Sequence, residues 1–221
     1  DRTGYEIRPA VIEVGNGKVQ LAGRYGDGLE LQSRLDGVNL AVLNPMLPGL
    51  GLGGRVTGSL DWKQASFTAF PQADARLEIN RFTRTNLGTV SQAVDISLVG
   101  RLLPDGGNAR AIIRRRGAAV GRLHVDLRPL PPGNADWMTR LLAAPLSGGI
   151  RYNGPADALF SLTALPDQSL TGNVGVAADF SGLLQSPQLD GVVRANDLVY
   201  ENDIYGTRLT KLRVRGIFSN D

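Results

Sequence analysis

The chain contains no cysteine in 221 residues and a single histidine, His124. The first absence excludes disulfide staples and zinc–thiolate sites and fits a cytosolic or a periplasmic address. It is convenient for an extended β protein in an oxidising compartment, where stray thiols would mispair. His124 lies between Leu123 and Val125 on the polar side of an alternating run, with no acidic cluster beside it. That is the position of a solvent-facing strand residue, and no Ser-His-Asp arrangement assembles around it. Aromatics make up only 6% of the chain, so a core built from Val, Leu, Ile and Ala would be thin. No segment approaches the roughly 20 apolar residues of a membrane span. No signal-like segment opens the chain, which runs from Asp1-Arg2-Thr3 to Asn220-Asp221 inside its repeating pattern and reads as a piece of a longer protein.

Charge of one sign is also scarce. The formal net charge of +3 implies no strong attraction to nucleic acid or to an anionic membrane surface. Arg114-Arg115-Arg116 is the densest basic spot, but no aromatics interleave with it as base stacking requires. It reads as a solvated strand end before a turn at Gly117.

What the chain has in quantity is glycine, 28 residues, and with 12 prolines these make long helices unfavourable. The glycines mark a repeat. G-R-V-T-G-S-L-D-W from Gly54 recurs as G-N-V-G-V-A-A-D-F from Gly172; Pro71-Gln72-Ala73-Asp74-Ala75 recurs as Pro187-Gln188-Leu189-Asp190-Gly191; Gly88-Thr89 recurs as Gly206-Thr207. A repeat of this length carried by glycine and aliphatic residues points to an elongated β structure built from similar units.

Period-two alternation supports that reading. Leu29, Leu31, Ser33 and Leu35 alternate with Glu30, Gln32 and Arg34, and Val56, Gly58, Leu60 and Trp62 with Arg55, Thr57, Ser59 and Asp61. Similar runs surround Leu77 and Ile79, Val94 and Ile96, Leu123 and Val125, Val174 and Val176, and Leu212 and Val214. Each predicts a strand with one apolar and one wet face. Turn chemistry separates them at Gly15-Asn16-Gly17, Tyr25 to Gly28, Pro104 to Asn108 and Leu165-Pro166-Asp167, so successive strands should pair antiparallel. Two stretches, Val38 to Leu47 and Trp137 to Leu146, have helix-like spacing. The second has Asn134 or Asp136 as N-cap and Pro145 as stop. Each precedes a repeat unit, and their matching positions predict small helices that cover one end of each unit. The units divide as 1–46, the tail of a preceding repeat with a short helix; 47–133, the first repeat; and 134–221, a short helix and the second repeat.

The repeated aspartates Asp61, Asp74, Asp179 and Asp190 could be paired carboxylates of a glycosidase or lyase. Each falls beside glycine or proline or alternates with apolar residues, as turn and outer-face residues do. Gly49-Leu50-Gly51-Leu52-Gly53-Gly54 lacks the Lys-Ser/Thr of a phosphate cradle and opens a strand. No catalytic or metal-binding residue is assigned. What remains is the apolar face, either a closed core or a groove open to apolar ligands.

The pattern G-x-V-x-G-x-L, Pro-Gln-x-Asp-Gly, Gly-Thr-x-Leu, with Pro155-Ala156-Asp157-Ala158-Leu159 before the second copy, resembles the TamB family of AsmA-like envelope proteins. The likeness is most specific around Ser186 to Gly191; the first copy departs from it, with Ala73 and Ala75 where the second has Leu189 and Gly191. The resemblance implies an all-β, elongated, curled gutter of largely antiparallel strands with a greasy inside. It implies a periplasmic protein anchored in the inner membrane and reaching the outer one, with two roles. One is movement of phospholipids between the membranes, the acyl chains as ligand. The other is assembly of outer-membrane proteins such as autotransporters with an Omp85-type barrel partner.

On this reading the groove is lined by Val56, Leu60, Leu77, Ile79, Val94, Ile96, Leu123, Val125, Leu162, Val174, Val176, Val193, Leu212 and Val214. Acyl chains leave water at about 0.8 kcal/mol per CH₂, and a uniform aliphatic lining has no deep trap. No cofactor, metal or nucleic acid is called for. The alternatives are a scaffold whose edge strands accept client strands, and a structural β-solenoid stalk with a closed core.

Overall fold

Alternation with period two is satisfied by extended backbone, which puts residues i, i+2 and i+4 on one side. The computed structural model describes residues 4–45, 51–86, 89–131, 135–160 and 168–219. Its strands are β1 (Tyr5–Val14), β2 (Gly17–Tyr25), β3 (Leu29–Asn39), β4 (Leu52–Gln64), β5 (Gln72–Asn86), β6 (Thr89–Val90) and β7 (Val94–Leu103), then β8 (Gly106–Arg115), β9 (Ala118–Leu127), β10 (Leu146–Pro155), β11 (Gln168–Leu183), β12 (Ser186–Asn202) and β13 (Thr207–Phe218). Among the described residues the helical segments are a 3-10 turn at Leu40–Leu43, α1 (Trp137–Leu142) and α2 (Ala156–Phe160). None is long and apolar enough to cross a membrane.

The two-residue β6 pairs with β5 alone. The other twelve strands form one antiparallel meander in chain order, an open sheet with β1 and β13 as its edges. The expected all-β curled sheet is therefore what forms. One row of facing residues crosses all twelve strands: Ile12, Val19, Leu35, Gly58, Leu77, Leu98, Ala111, Leu123, Ile150, Ala178, Gly191 and Phe218. On the other face Gln32, Asp61, Asp74, Arg101, Asn108, Asp126 and Ser147 make a polar row. The register sorts apolar from polar residues across almost the whole sheet.

The repeated glycines mark the bends. Gly54, at φ 118°, sits where the β4–β5 register shifts, close to Arg81, whose own φ is 54°. Gly172, at φ 111°, sits where the β11–β12 register shifts, close to Asp197 at φ 57°. A Cβ on Gly54 would lie 3.0–3.1 Å from backbone atoms of Asn80, Arg81 and Phe82, and one on Gly172 would lie 3.1 Å from the Asp197 carbonyl. Only glycine combines this φ with this approach. Extra residues at such bulges bend and twist the strands, so the longest internal repeat in the sequence encodes curvature.

Helix α1 shows how far the sheet curls. Its N-cap Asp136 accepts hydrogen bonds from the Thr139 amide and hydroxyl, which lowers the carboxyl pKa. Trp137 meets Trp62 of β4 edge-on at 6.4 Å, and the Arg140 guanidinium lies 5.0 Å above the Phe70 ring in the β4–β5 connection. The far end of α1 holds the β11–β12 turn, where the amides of Gln185 and Leu184 donate to the carbonyls of Leu142 and Ala144. In a flat sheet β4 and β11 would stand about 29 Å apart, whereas six helical residues span about 9 Å. The curl brings both within reach of one helix and its side chains.

One expectation needs correction. The sequence pairs Val38 to Leu47 with Trp137 to Leu146 as equivalent helices, but strand order places the Leu40–Leu43 turn between β3 and β4, and α1 between β9 and β10. Those connections lie at opposite ends of the strands. The counterpart of Leu40–Leu43 is α2, so the repeated unit is β3, helical turn, β4, β5, matched by β10, α2, β11, β12. Helix α1 is an addition where the first unit has only the turn 26–28. The residues Met46 and Leu47 of the expected first helix, the loop at Leu165-Pro166-Asp167, Gly88, Asn134, and Gly49 and Leu50 of the glycine-rich stretch lie outside the described residues.

Candidate functional site

The thirteen described residues of the expected lining share one face. Val56 faces Ile79 and Ile79 faces Ile96; Leu77 lies one row away. Leu60 and Val125 lie a further row toward the other strand ends. Leu123 faces Ile150, Val176 faces Val193, and Val174 faces Ala195, which faces Val214; Leu212 faces Leu198. Val94 faces Phe82 beyond the bulge. Leu162 lies outside the described residues.

The face is covered unevenly. Val56, Val94 and Val174 are buried; Leu77, Ile79, Ile96, Leu123, Val125, Val176, Val193 and Leu212 are half-buried; Leu60 and Val214 are exposed, at 40% and 39%. The buried cluster belongs to the second unit, although Val38, Val56, Val94 and Ala111 are also buried outside it. Tyr152, Ala156, Val174, Ala195 and Leu198 form the cluster, with Ile113, Val120, Ile150, Leu159, Val176 and Leu212 packed on it. Helix α2 contributes Ala156 and Leu159, so the second unit's apolar face has a lid. The Tyr152 hydroxyl donates to the Pro155 carbonyl at 2.9 Å. Burial, with the Asp157 carboxylate second, pushes its pKa up to about 12. Asp157 also accepts a 2.6 Å hydrogen bond from the Gln92 amide, which ties α2 to the segment between β6 and β7.

In the first unit the corresponding 3-10 turn buries no residue. Asn39 caps it through a hydrogen bond from the Ala41 amide, and Asn44 is tied to Leu52 by two more. Between this turn and α1 the apolar face of β4, β5 and β7, and of β8 and β9 away from Ile113 and Val120, carries no covering helix among the described residues. It is an aliphatic strip with rows such as Leu60, Ala75, Gly100, Ala109 and Val125. The small residues in that row leave room above the sheet.

The polar face holds the charged candidates. Asp61 faces Asp74 and Asp179 faces Asp190 across neighbouring strands, a pairing that spacing alone did not reveal. Like charges directly opposite one another are unfavourable. Each pair has a cation: Arg101 approaches Asp74 at 3.4 Å and Arg151 reaches Asp179 at 2.8 Å. Both ion pairs are exposed and polar, as outer-face residues are. His124 is exposed, facing Arg110 and Gly149. Arg114 donates to the Ser97 hydroxyl and Arg115 to the Gln92 side chain, while Arg116 turns the chain at φ 50°. No group of three or more metal-ligating side chains comes together among the described residues. Open concavities of about 500 and 700 Å³ lie mainly on this face, beside Gln20, Gln32 and Asp61 and beside Asn153, Asn173 and Arg194.

Sequence reasoning missed α2. The signal was present: Pro155 immediately precedes the helix and Asp157 lies in its first turn. Compared with protein-family models, with curated proteins and with solved structures, the chain matches none of them.

Proposed function

We propose that this chain is a groove segment of a TamB-like periplasmic bridge protein, shielding phospholipid acyl chains in transit between inner and outer membranes. The observation that carries the reading is the uncovered aliphatic strip over β4 to β9, with Leu60 at 40% exposure and the neighbouring aliphatic side chains half-buried. Such a strip holds an acyl chain through area alone, and an exposed apolar surface of this kind marks a binding site. The polar headgroup stays in water, so no charged side chain has to accompany it inward. On this reading Leu60, Leu77, Ile79, Ile96, Leu123 and Val125 contact lipid, and Val56, being buried, does not. Val174, Val176 and Val193, under α2, hold the sheet together. The full-length protein is anchored in the inner membrane and meets an Omp85-type barrel at the outer one.

The test is native mass spectrometry of the chain purified from cells with a phospholipid envelope. We expect bound phospholipid, reduced about tenfold by Leu60→Asp or Ile96→Asp. Leu60 is exposed enough for its aspartate variant to fold, which circular dichroism checks. Full lipid retention in a folded Leu60→Asp, Ile96→Asp double variant would sink the proposal.

A further inference from the structure

The polar face of the second unit sets cations against each other. Arg122 faces Arg151 across β9 and β10, and Arg194 faces Arg215 across β12 and β13. Facing pairs such as Lys18 with Asp36, Glu30 with Lys63 and Asp74 with Arg101 oppose unlike charges instead. Like charges directly opposite one another are unfavourable until something neutralises them. Arg151 has its own neutraliser: its guanidinium donates to the Asp179 carboxylate and to the Ala178 carbonyl, each at 2.8 Å. Arg122 and Arg194 make no ion pair or hydrogen bond among the described residues, and each lies on a strand paired on both sides. We propose that these two arginines, with the carboxamides of Asn153, Asn173 and Asn196, bind a segment of acidic polysaccharide. This surface is the opposite face from the aliphatic strip, so the proposal stands whether or not that strip carries lipid.

The side chains border one depression. Between β10 and β12 the polar face of β11 carries Gly175 and Ala177, which floor a concavity of about 700 Å³ beside Asn153, Asn173, Arg194 and Asn196. A second, of about 280 Å³, lies beside Arg122 and Arg151 and shares Asn153 with the first. Arg122 is in one row with Arg151 and Ala177, Asn153 is in the next with Gly175 and Arg194, and Asn173 faces Asn196 one polar row further. Three strand spacings put Arg122 and Arg194 about 14 Å apart across the sheet. An arginine fork meets a carboxylate through two parallel hydrogen bonds, and a carboxamide both donates to and accepts from hydroxyl groups. Acidic groups at intervals with hydroxyls between them are the chemistry of an acidic glycan. Nucleic acid needs rings on which its bases stack, and these rows contain no aromatic residue. A flat anionic bilayer would also meet the carboxylates of Asp179 and Asp190 in the neighbouring row, which a single chain lying in the depression avoids.

The first unit provides the contrast. Aligning Gly54 with Gly172 places Thr57 where the second unit has Gly175. It places Glu78, which accepts a 2.7 Å hydrogen bond from the Ser97 hydroxyl, where the second unit has Arg194. Gln20 stands in place of Arg122, and Asp36 in place of Asn153. One backbone plan thus carries acids and a filled floor in the first unit, cations and an open floor in the second. Gly175 is not a demand of the backbone: a Cβ there would meet only the Arg194 and Tyr152 carbonyl oxygens, at 3.6 and 4.0 Å. What glycine does at this position is leave the floor open.

The test uses the 221-residue chain and oligogalacturonate, a glycan bearing carboxylates, with dextran as its uncharged counterpart. Titration calorimetry should show oligogalacturonate binding that weakens as salt rises, and no binding of dextran. Arg122→Gln and Arg194→Gln should each weaken binding about tenfold, and Asn153→Ala combined with Asn173→Ala about fivefold. Gly175→Val changes no charge and suits a strand, and should weaken binding by a similar factor because it fills the floor. Arg194→Glu, which copies the first unit, should abolish binding, while Arg76→Gln on the same face of the first unit should leave it unchanged. Circular dichroism and urea unfolding show whether each variant is folded. The proposal is overturned if folded Arg122→Gln and Arg194→Gln bind as the parent chain does, or if folded Gly175→Val does. Displacement of the glycan by inorganic phosphate at equal concentration also overturns it, in favour of a simple anion site. Tighter binding of single-stranded DNA or of phosphatidylglycerol vesicles through the same arginines overturns it in favour of those ligands.

Discussion

Where the second unit sets Tyr152 against Val176, the first sets Leu35 against Gly58. A Cβ on Gly58 would stand 2.0 Å from the Arg76 carbonyl, so nothing larger fits there. Farther along, the second unit buries Leu198 at 2% exposure where the first leaves its counterpart Phe82 half-buried. The backbone plan is common to both, with Gly54 and Gly172 each placed by a register shift opposite a residue with positive φ. The difference lies above the sheet: α2 covers one unit, whereas the turn at Leu40–Leu43 buries none of its own residues and leaves Leu60 of the other exposed, although Val38 and Val56 are buried. Repetition therefore fixes curvature, while the loop inserted between equivalent strands decides whether the face becomes a core or a surface.

If cover is what differs, truncation should separate the units. Leu198→Ala should cost about 3 kcal/mol, because it empties a fully packed site under α2, and Phe82→Ala about 1–2 kcal/mol. Equal costs in urea unfolding would mean the first unit is as closed as the second. If curvature is what they share, Gly54→Ala and Gly172→Ala should each cost about 1–2 kcal/mol and differ by less than about 0.5 kcal/mol. A large difference would show that one bulge matters and the other does not.

The smallest effect concerns Tyr152, which has leucine as its counterpart. Its folded pKa of about 12 lies above the ordinary tyrosine value of 10.0, so the folded state favours the protonated phenol. The stability it contributes is present below about pH 10 and is lost as pH rises from 10 toward 12. Denaturation curves between pH 9 and 11.5 should therefore show a loss that Tyr152→Phe removes. An unchanged loss in that variant would assign it to other groups.

Strand content and facing were legible because alternation is a local property, and every run read as a strand, from Leu29 to Val214, is one. The lining residues shared a face for the same reason: a one-residue error in any strand would have shown as a polar break in the row. Three features depended on distant parts of the chain and were not legible. The cross-strand meeting of Asp61 with Asp74 needed the register. The equivalence of the Leu40–Leu43 turn to α2 needed the strand order, because apolar spacing looked similar in α1. The division of one apolar face into a buried and an open half needed the position of α2, whose five residues are too few to give a helical period.

Helix α1 has a consequence for how the chain reaches its fold. Neighbouring strands in the main sheet follow one another along the chain, so their pairing is local and growth can start anywhere and spread. The contacts of Trp137 with Trp62 and of Arg140 with Phe70 are different, since each closes a long stretch of chain. We expect α1 to dock only after β4 through β10 are paired. Hydrogen exchange should show its amides protected last in refolding and released first in native-state opening, so that the gutter is built flat-sided and then drawn into its curl.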